Sequence, residues 1–439
     1  MLADRAAALR YANRRQDPIA AFGREAVMAS RRRIPKRRIV AAAVTCTVAA
    51  VLSVPIVLFT MPNVVPGTVR AQLVGLPLIV SPEAREAAAA IALATDQSEE
   101  TLARAETWAN EAVLDDPLAE SAIRSLSFVN AYRGDDRKAM EILRYGESLS
   151  KRDLMTELAL ALDARQSGEN AAAIRHYGHA LGTTVRGYDL IVEQMLGSTG
   201  QDPDFARDLG TAMAARPGWR DRFLPFYIAR SQDPAALGAT IAAMWEGGVP
   251  EGDRPMAMRA LAKMLALGAT GDAARLIRLV TGPSSAKQIR DGDFDKGGDT
   301  AFGWELERGA SFSALPVPRE DGDGMVLELN ASSGHAGTVA SQILALPPGS
   351  YRLSGRLWSD DKADRGMPRI ELRCAGADTP TAELRKAEDA RSVAAAQALS
   401  TGFVIPQGCP VQYVDVKFGS SLFVANSQGW VDGIAIDPL

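Results

Sequence analysis

The chain has 439 residues, of which 47% are hydrophobic and 23% charged, with a net charge of −4. That length exceeds one ordinary core and predicts two or three domains of roughly 100 to 200 residues each. The composition excludes a disordered chain, and the near-neutral balance excludes a strongly basic nucleic-acid binder, so no nucleic acid is expected among the partners.

The average conceals an asymmetry. Residues 1–38 carry 11 Lys or Arg against 3 Asp or Glu, a net +8, while the rest of the chain carries 38 against 50, a net −12. Between the two lie residues 39–61, IVAAAVTCTVAAVLSVPIVLFTM, 23 residues without a charge. As a helix they would reach about 34 Å, enough to cross a ~30 Å hydrocarbon layer. Arg31, Arg32, Arg33, Lys36, Arg37 and Arg38 crowd one end, and the first charge past the other is Arg70. The positive-inside bias then predicts a basic cytoplasmic tail over 1–38, a transmembrane helix over 39–61 and export of everything after Met61. A cleaved signal peptide would have a shorter apolar region followed by an A-x-A site, so a retained anchor is expected. Residues 62–80, with prolines and glycines among apolar residues, read as a stalk.

Ser81-Pro82-Glu83-Ala84 has a capping residue, a proline at the first helical position and an acid in the first turn, the signature of a helix start. From 81 to 280 the pattern is helical, with breaks at Asp116-Pro117, Gly134-Asp135, Gly168-Glu169, Asp202-Pro203, Pro217-Gly218 and Gly271-Asp272. Gly134 to Gly168 and Ala139 to Ala173 are both separated by 34 residues, and YRGDDRKAMEILRYGESLS aligns without a gap on RQSGENAAAIRHYGHALG. On these residues, and on the Asp-Pro-terminated LARAETWANEAVLDDP of 102–117, the segment resembles a tetratricopeptide array, most closely over 99–181 and more loosely after Gly200. The resemblance implies paired helices offering a groove to protein partners; helices that merely space the C-terminal domain from the membrane are the alternative. His176 and His179 share one helical face, but no third ligand is apparent near them, so they are read as helix-surface or groove residues rather than a zinc site.

Residues 281–290, TGPSSAKQIR, read as a linker, and the hydrophobic period then changes from 3.6 to 2. Strands are predicted over Met325–Asn330, Val339–Leu346, Tyr351–Trp358, Ile370–Cys374, Gly402–Ile405, Val411–Phe418 and Gly433–Ile436, which indicates a β-sandwich over 291–439. Five local features sharpen this: Asp291-Gly292-Asp293-Phe294, Phe302-Gly303-Trp304, the Pro348-Gly349-Ser350-Tyr351-Arg352-Leu353 hairpin, Phe403-Val404-Ile405-Pro406, and the closing Gly433-Ile434-Ala435-Ile436-Asp437. In this order they resemble the carbohydrate-binding jelly-roll families found beside glycan-active enzymes. The resemblance implies a jelly roll in which first and last strands meet, with Asp291, Asp293 and Asp437 placed to hold a structural calcium ion, the one cofactor implied; ordinary capping of turns by Asp is the alternative.

Alternation along Tyr351–Trp358 puts Arg352, Ser354, Arg356 and Trp358 on one face, and in the proposed neighbour Ile370–Cys374 puts Glu371 and Arg373 on the polar face; Tyr413 does likewise in Val411–Phe418. Aromatic rings that stack on pyranose C–H groups, with arginines donating to hydroxyls or uronic carboxylates, suit a glycan, so Trp358, Arg352, Arg356, Arg373, Glu371 and Tyr413 are the expected contacts. A Trp358 packed under a loop beside solvated charges is the alternative. Cys374 and Cys409 both fall in the exported part and are expected to form a disulfide, with two free buried thiols as the alternative.

No nucleophile motif or phosphate loop occurs, and carboxylate pairs such as Asp360-Asp361 and Glu320-Asp321 sit in turn-like stretches, so no catalytic residue is assigned. The whole reads as a multidomain α plus β chain: one transmembrane helix, a tetratricopeptide-like array and a C-terminal jelly roll. It is expected in the inner membrane of a Gram-negative bacterium, single-pass, its bulk periplasmic, assisting envelope or extracellular polysaccharide assembly through protein and glycan contacts. A purely structural organiser is the alternative, and a glycan lyase or hydrolase the least favoured reading.

Overall fold

The computed structural model describes residues 66–72, 74, 81–184, 187–282, 288–296, 302–319, 322, 324–360, 367–385 and 398–439. The basic tail 1–38, the expected span 39–61 and most of the 62–80 stalk lie outside the described residues. Among those described, no helix is long and apolar enough to cross a membrane. The chain divides into two compact units, one ending at Arg133 and one from Gly134 to Leu439.

The first unit contains helices α1 (Gly67–Gln72), α2 (Pro82–Thr95), α3 (Glu99–Asp115) and α4 (Glu120–Tyr132). Part of the expected stalk is therefore the short helix α1. Ser81 caps α2 by accepting the Ala84 amide at 3.4 Å, with Pro82 at the first helical position, as the sequence predicts. The core is built largely from alanine: Ala89, Ala105, Ala109, Ala112 and Ala122 have no exposed surface. Such small side chains let neighbouring helices approach closely.

The second unit begins with nine helices: α5 (Asp136–Leu149), α6 (Leu154–Gln166), α7 (Asn170–Thr183), α8 (Tyr188–Gln201), α9 (Pro203–Ala214), α10 (Arg220–Arg230), α11 (Pro234–Met244), α12 (Arg254–Ala266) and α13 (Thr270–Thr281). Helices start at Glu120, Leu154 and Tyr188, 34 residues apart each time, and Gly134 and Gly168 take matching left-handed conformations (φ 83° and 73°) before the next helix begins. Asp202-Pro203 and Asp233-Pro234 each start a helix, the aspartate accepting first-turn amides and the proline occupying a position whose N–H would lack an intrahelical partner. The break expected at Gly271-Asp272 instead falls at Gly268 (φ 74°), and Gly271 and Asp272 lie in the first turn of α13.

Among the described residues ten strands follow: β1 (Glu305–Leu306), β2 (Phe312–Pro318), β3 (Met325–Ser332), β4 (Ala336–Leu344), β5 (Gly349–Ser359), β6 (Arg369–Cys374), β7 (Ala382–Arg385), β8 (Leu399–Ile405), β9 (Gln412–Gly419) and β10 (Asn426–Pro438). They form two five-stranded antiparallel sheets, sheet A in the order β1-β4-β9-β6-β7 and sheet B in the order β2-β3-β10-β5-β8. Alternate residues such as Leu353 and Leu357 of β5, Ile370 and Leu372 of β6, and Val414 and Val416 of β9 fill one core between the sheets. The segment opening this region does meet the last strand, since Ile434 donates its amide to the Gly292 carbonyl at 3.0 Å. There β10 carries a bulge between Asp432 and Ala435, with Gly433 at φ 60°. The helical core reaches the sandwich: Phe302, Ile343 and Val411 belong to the same apolar cluster as α6 to α13.

Candidate functional site

The outward face of sheet A is a ladder of charged side chains with one aromatic ring. Val414, Val416 and Phe418 of β9 point into the core, which turns Tyr413, Asp415 and Lys417 outward, and β6 likewise presents Arg369, Glu371 and Arg373. Pairing sets Glu371 directly opposite Asp415, a repulsive arrangement unless basic groups intervene. They do so diagonally and along the strand. Lys417 Nζ lies 2.6 Å and Arg369 Nε 3.0 Å from the Glu371 carboxylate, while Arg373 Nε donates to Asp415 at 2.7 Å and Ser341 Oγ donates to its other oxygen at 2.7 Å. Glu371 and Asp415 are buried by this network, and Arg373 and Lys417 stay about a third exposed.

Tyr413 sits opposite both Arg373 and Ile343. The Arg373 guanidinium stands 4.6 Å over its ring, a cation–π contact that fixes the ring plane. Burial pushes the Tyr413 phenol above its ordinary pKa, and Arg373 pulls it partly back. Beside Tyr413 opens a cleft of about 580 Å³, bounded by Glu305, Ser341 and Ile343 of sheet A, by Phe302 and by Met258, Leu261 and Leu265 of α12. Three of the six expected glycan contacts, Glu371, Arg373 and Tyr413, thus share one face of sheet A, and of them Tyr413 lines the cleft.

The other three lie elsewhere. Strand β5 pairs with β10 and β8 of sheet B, not with β6, so Arg352, Arg356 and Trp358 face outward from the opposite side of the sandwich. Alternation assigns faces within a strand but not the sheet to which a strand belongs. Trp358 is also buried, at 2% exposure, because its cross-strand partner is Trp430 and the two rings stack at 6.0 Å and 11°. The expectation of an open tryptophan is corrected accordingly. Arg352 and Arg356 are exposed, opposite Asp437 and Asp432. A polar pocket of about 380 Å³ adjoins Arg356, with Asp293, Asp295, Arg319 and Asp432 around it. Arg319 holds the buried Asp432 at 2.6 Å, and burial still keeps that carboxyl above its usual range.

Of the three expected calcium ligands, Asp291 accepts the Lys296 amide through both oxygens at 3.0 and 3.2 Å, capping its own turn. Asp293 lies beside Gly433, and Asp437 sits opposite Arg352, four residues further along β10. Among the described residues the group of metal-ligating side chains that does converge is Glu147, Glu157, His176 and His179. The reading of the two histidines as lacking further ligands is therefore corrected: the extra carboxylates come from α5 and α6, distant in sequence from α7. Cys374 and Cys409 form a disulfide with a Cα separation of 5.4 Å, tying the end of β6 to the turn before β9. The residues missed in the sequence were Glu147, Glu157, Glu305, Ser341, Arg369 and Trp430; of these, Trp430 was legible, since its alternation with Val431 turns it outward from its strand.

No protein-family model matches the chain, and no curated protein matches it. Among solved structures it is similar to one described as Family 16 Carbohydrate Binding Module-2, at 22% identity over 34% of this chain and 98% of that one, with a TM-score of 0.25. It is similar to TmCBM61 in complex with beta-1,4-galactotriose at 13% identity, over 35% and 100% of the two chains, TM-score 0.25. A third likeness is to the CBM22-1 xylan-binding domain from Paenibacillus barcinonensis Xyn10C, at 12% identity over 36% and 97%, TM-score 0.25. At TM-scores of this size the likenesses carry no argument for how this chain works.

Proposed function

We propose that the sandwich binds a polysaccharide along the outward face of sheet A, with Tyr413 as the ring on which a sugar packs and Arg373, Glu371 and Lys417 as its polar contacts. One observation carries the reading: a partly buried aromatic ring, its plane fixed by Arg373, lines a 580 Å³ cleft whose other walls are mostly apolar, beside the charged ladder of β6 and β9. The strand order β3-β10-β5-β8 over β4-β9-β6-β7 supports a jelly roll within the sandwich. The 34-residue spacing of helix starts supports a tetratricopeptide-like array that holds protein partners. The disulfide supports export, and with 39–61 as an anchor the chain would serve as an inner-membrane, periplasmic scaffold in polysaccharide assembly.

The test is titration of the full-length chain in detergent with a panel of neutral and acidic polysaccharides. Tyr413→Ala should weaken binding by about 5-fold or more, the loss of roughly 1 kcal/mol of ring contact, in a variant that a thermal melt shows to be folded. A second reading, a structural organiser that meets no sugar, draws on the pairing already complete around Glu371 and Asp415. Absence of binding across the panel would select it, and release of soluble products from a polymer would replace both with a lyase or hydrolase.

A further inference from the structure

We infer that Glu147, Glu157, His176 and His179 bind one zinc ion within the helical array. His176 and His179 are three residues apart on α7 and face the preceding helices. Glu157 on α6 meets both, its Oε2 lying 2.8 Å from His176 Nδ1 and 3.2 Å from His179 Nδ1. Glu147 on α5 brings Oε1 to 3.6 Å from His176 Nδ1. One ligand atom from each of the four lies within 4.8 Å of every other. In a tetrahedral zinc site with bonds of about 2.0 to 2.2 Å, ligand atoms stand roughly 3.3 to 3.6 Å apart, and separations of 2.8, 3.2 and 3.6 Å need only small shifts to reach that range.

A second observation points to a ligand rather than to hydrogen bonding alone. The Glu157 side chain has no exposed surface, yet its Oε1 has no hydrogen-bond partner. A buried carboxylate oxygen left in that state is costly, and a cation held through both oxygens of the carboxylate would satisfy it. The charge balance agrees: two carboxylates and two neutral imidazoles carry −2, which a divalent ion cancels inside a largely buried site. Imidazole nitrogens select a borderline transition metal over calcium or magnesium, which take six or more oxygen ligands. His179 and Glu147 are 25% and 22% exposed at the side chain, which leaves a path for entry. Four protein ligands make the site closed, so its role is to clamp α5, α6 and α7 together.

The untagged full-length chain, stripped with a chelator and dialysed, should take up one zinc ion per chain, and zinc but not calcium or magnesium should raise its melting temperature. The His176→Gln/His179→Gln double variant should bind zinc at least about 100-fold more weakly. Because a change at the buried Glu157 could prevent folding, Glu147→Gln serves as the second variant: it should keep the metal-free melting temperature and lose at least about 10-fold in zinc affinity. A wild-type chain that takes up no zinc, or a double variant that takes it up as wild type does, overturns the assignment and leaves the cluster as a hydrogen-bonded carboxylate between two imidazoles.

Discussion

At the scale of single residues, burial separates side chains that alternation treats alike. Tyr413 and Trp358 each alternate outward from a strand, yet one opens on a cleft and the other is sealed against Trp430. No pattern within Tyr351–Trp358 could reveal this, because the covering partner is supplied by β10, 72 residues on in sequence from Trp358 to Trp430. Trp358→Ala should therefore cost about 3 to 5 kcal/mol of stability, as removal of a buried tryptophan does, and leave glycan affinity unchanged. A thermal melt and one titration check it. A normal melt with weakened binding would return Trp358 to the site.

At the scale of elements, the sequence revealed every strand that runs through the middle of a sheet and, of the four edges, only β8. Met325–Asn330, Val339–Leu346, Tyr351–Trp358, Ile370–Cys374, Gly402–Ile405, Val411–Phe418 and Gly433–Ile436 all overlap observed strands. The three missed strands are edges. β2 carries Pro316 and Pro318, which an edge tolerates because beyond Ala314 the side of its backbone away from β3 has no neighbouring strand, while β1 and β7 are too short to show a period. Helix α2 carries a pH-dependent feature of its own. Burial, reinforced by Glu83 and Asp116, raises the Glu86 carboxyl from 4.5 to about 7. The folded state thus holds this proton more tightly than the unfolded chain, so the associated stability is present below about pH 4.5 and is lost as pH rises through about 7. Glu86→Gln should melt close to wild type at the low end of that window and increasingly above it toward neutral pH. A melting-temperature difference that is flat from pH 4.5 to 7.5 would contradict the account of Glu86.

At the scale of the whole molecule, the charge asymmetry of the sequence remains the argument for a membrane anchor, and the disulfide is the structural feature that accords with export. Peptide mapping without reductant should find Cys374 joined to Cys409, and reduction should lower stability by roughly 3 to 4 kcal/mol, the chain-entropy value for a loop of this length. Quantitative alkylation of both thiols before reduction would contradict the bridge. What the sequence could not show was how strands divide between sheets, since register and sheet membership arise from contacts such as Tyr413 with Arg373 and Trp358 with Trp430 that no local window contains. That division decides which side of the sandwich carries the face proposed to bind sugar. Amide hydrogen exchange on the full-length chain, with and without a bound polysaccharide, reads it directly: protection should concentrate in Arg369–Cys374 and Gln412–Gly419 of sheet A. Protection confined to Gly349–Ser359 and Asn426–Pro438 of sheet B would contradict the claim.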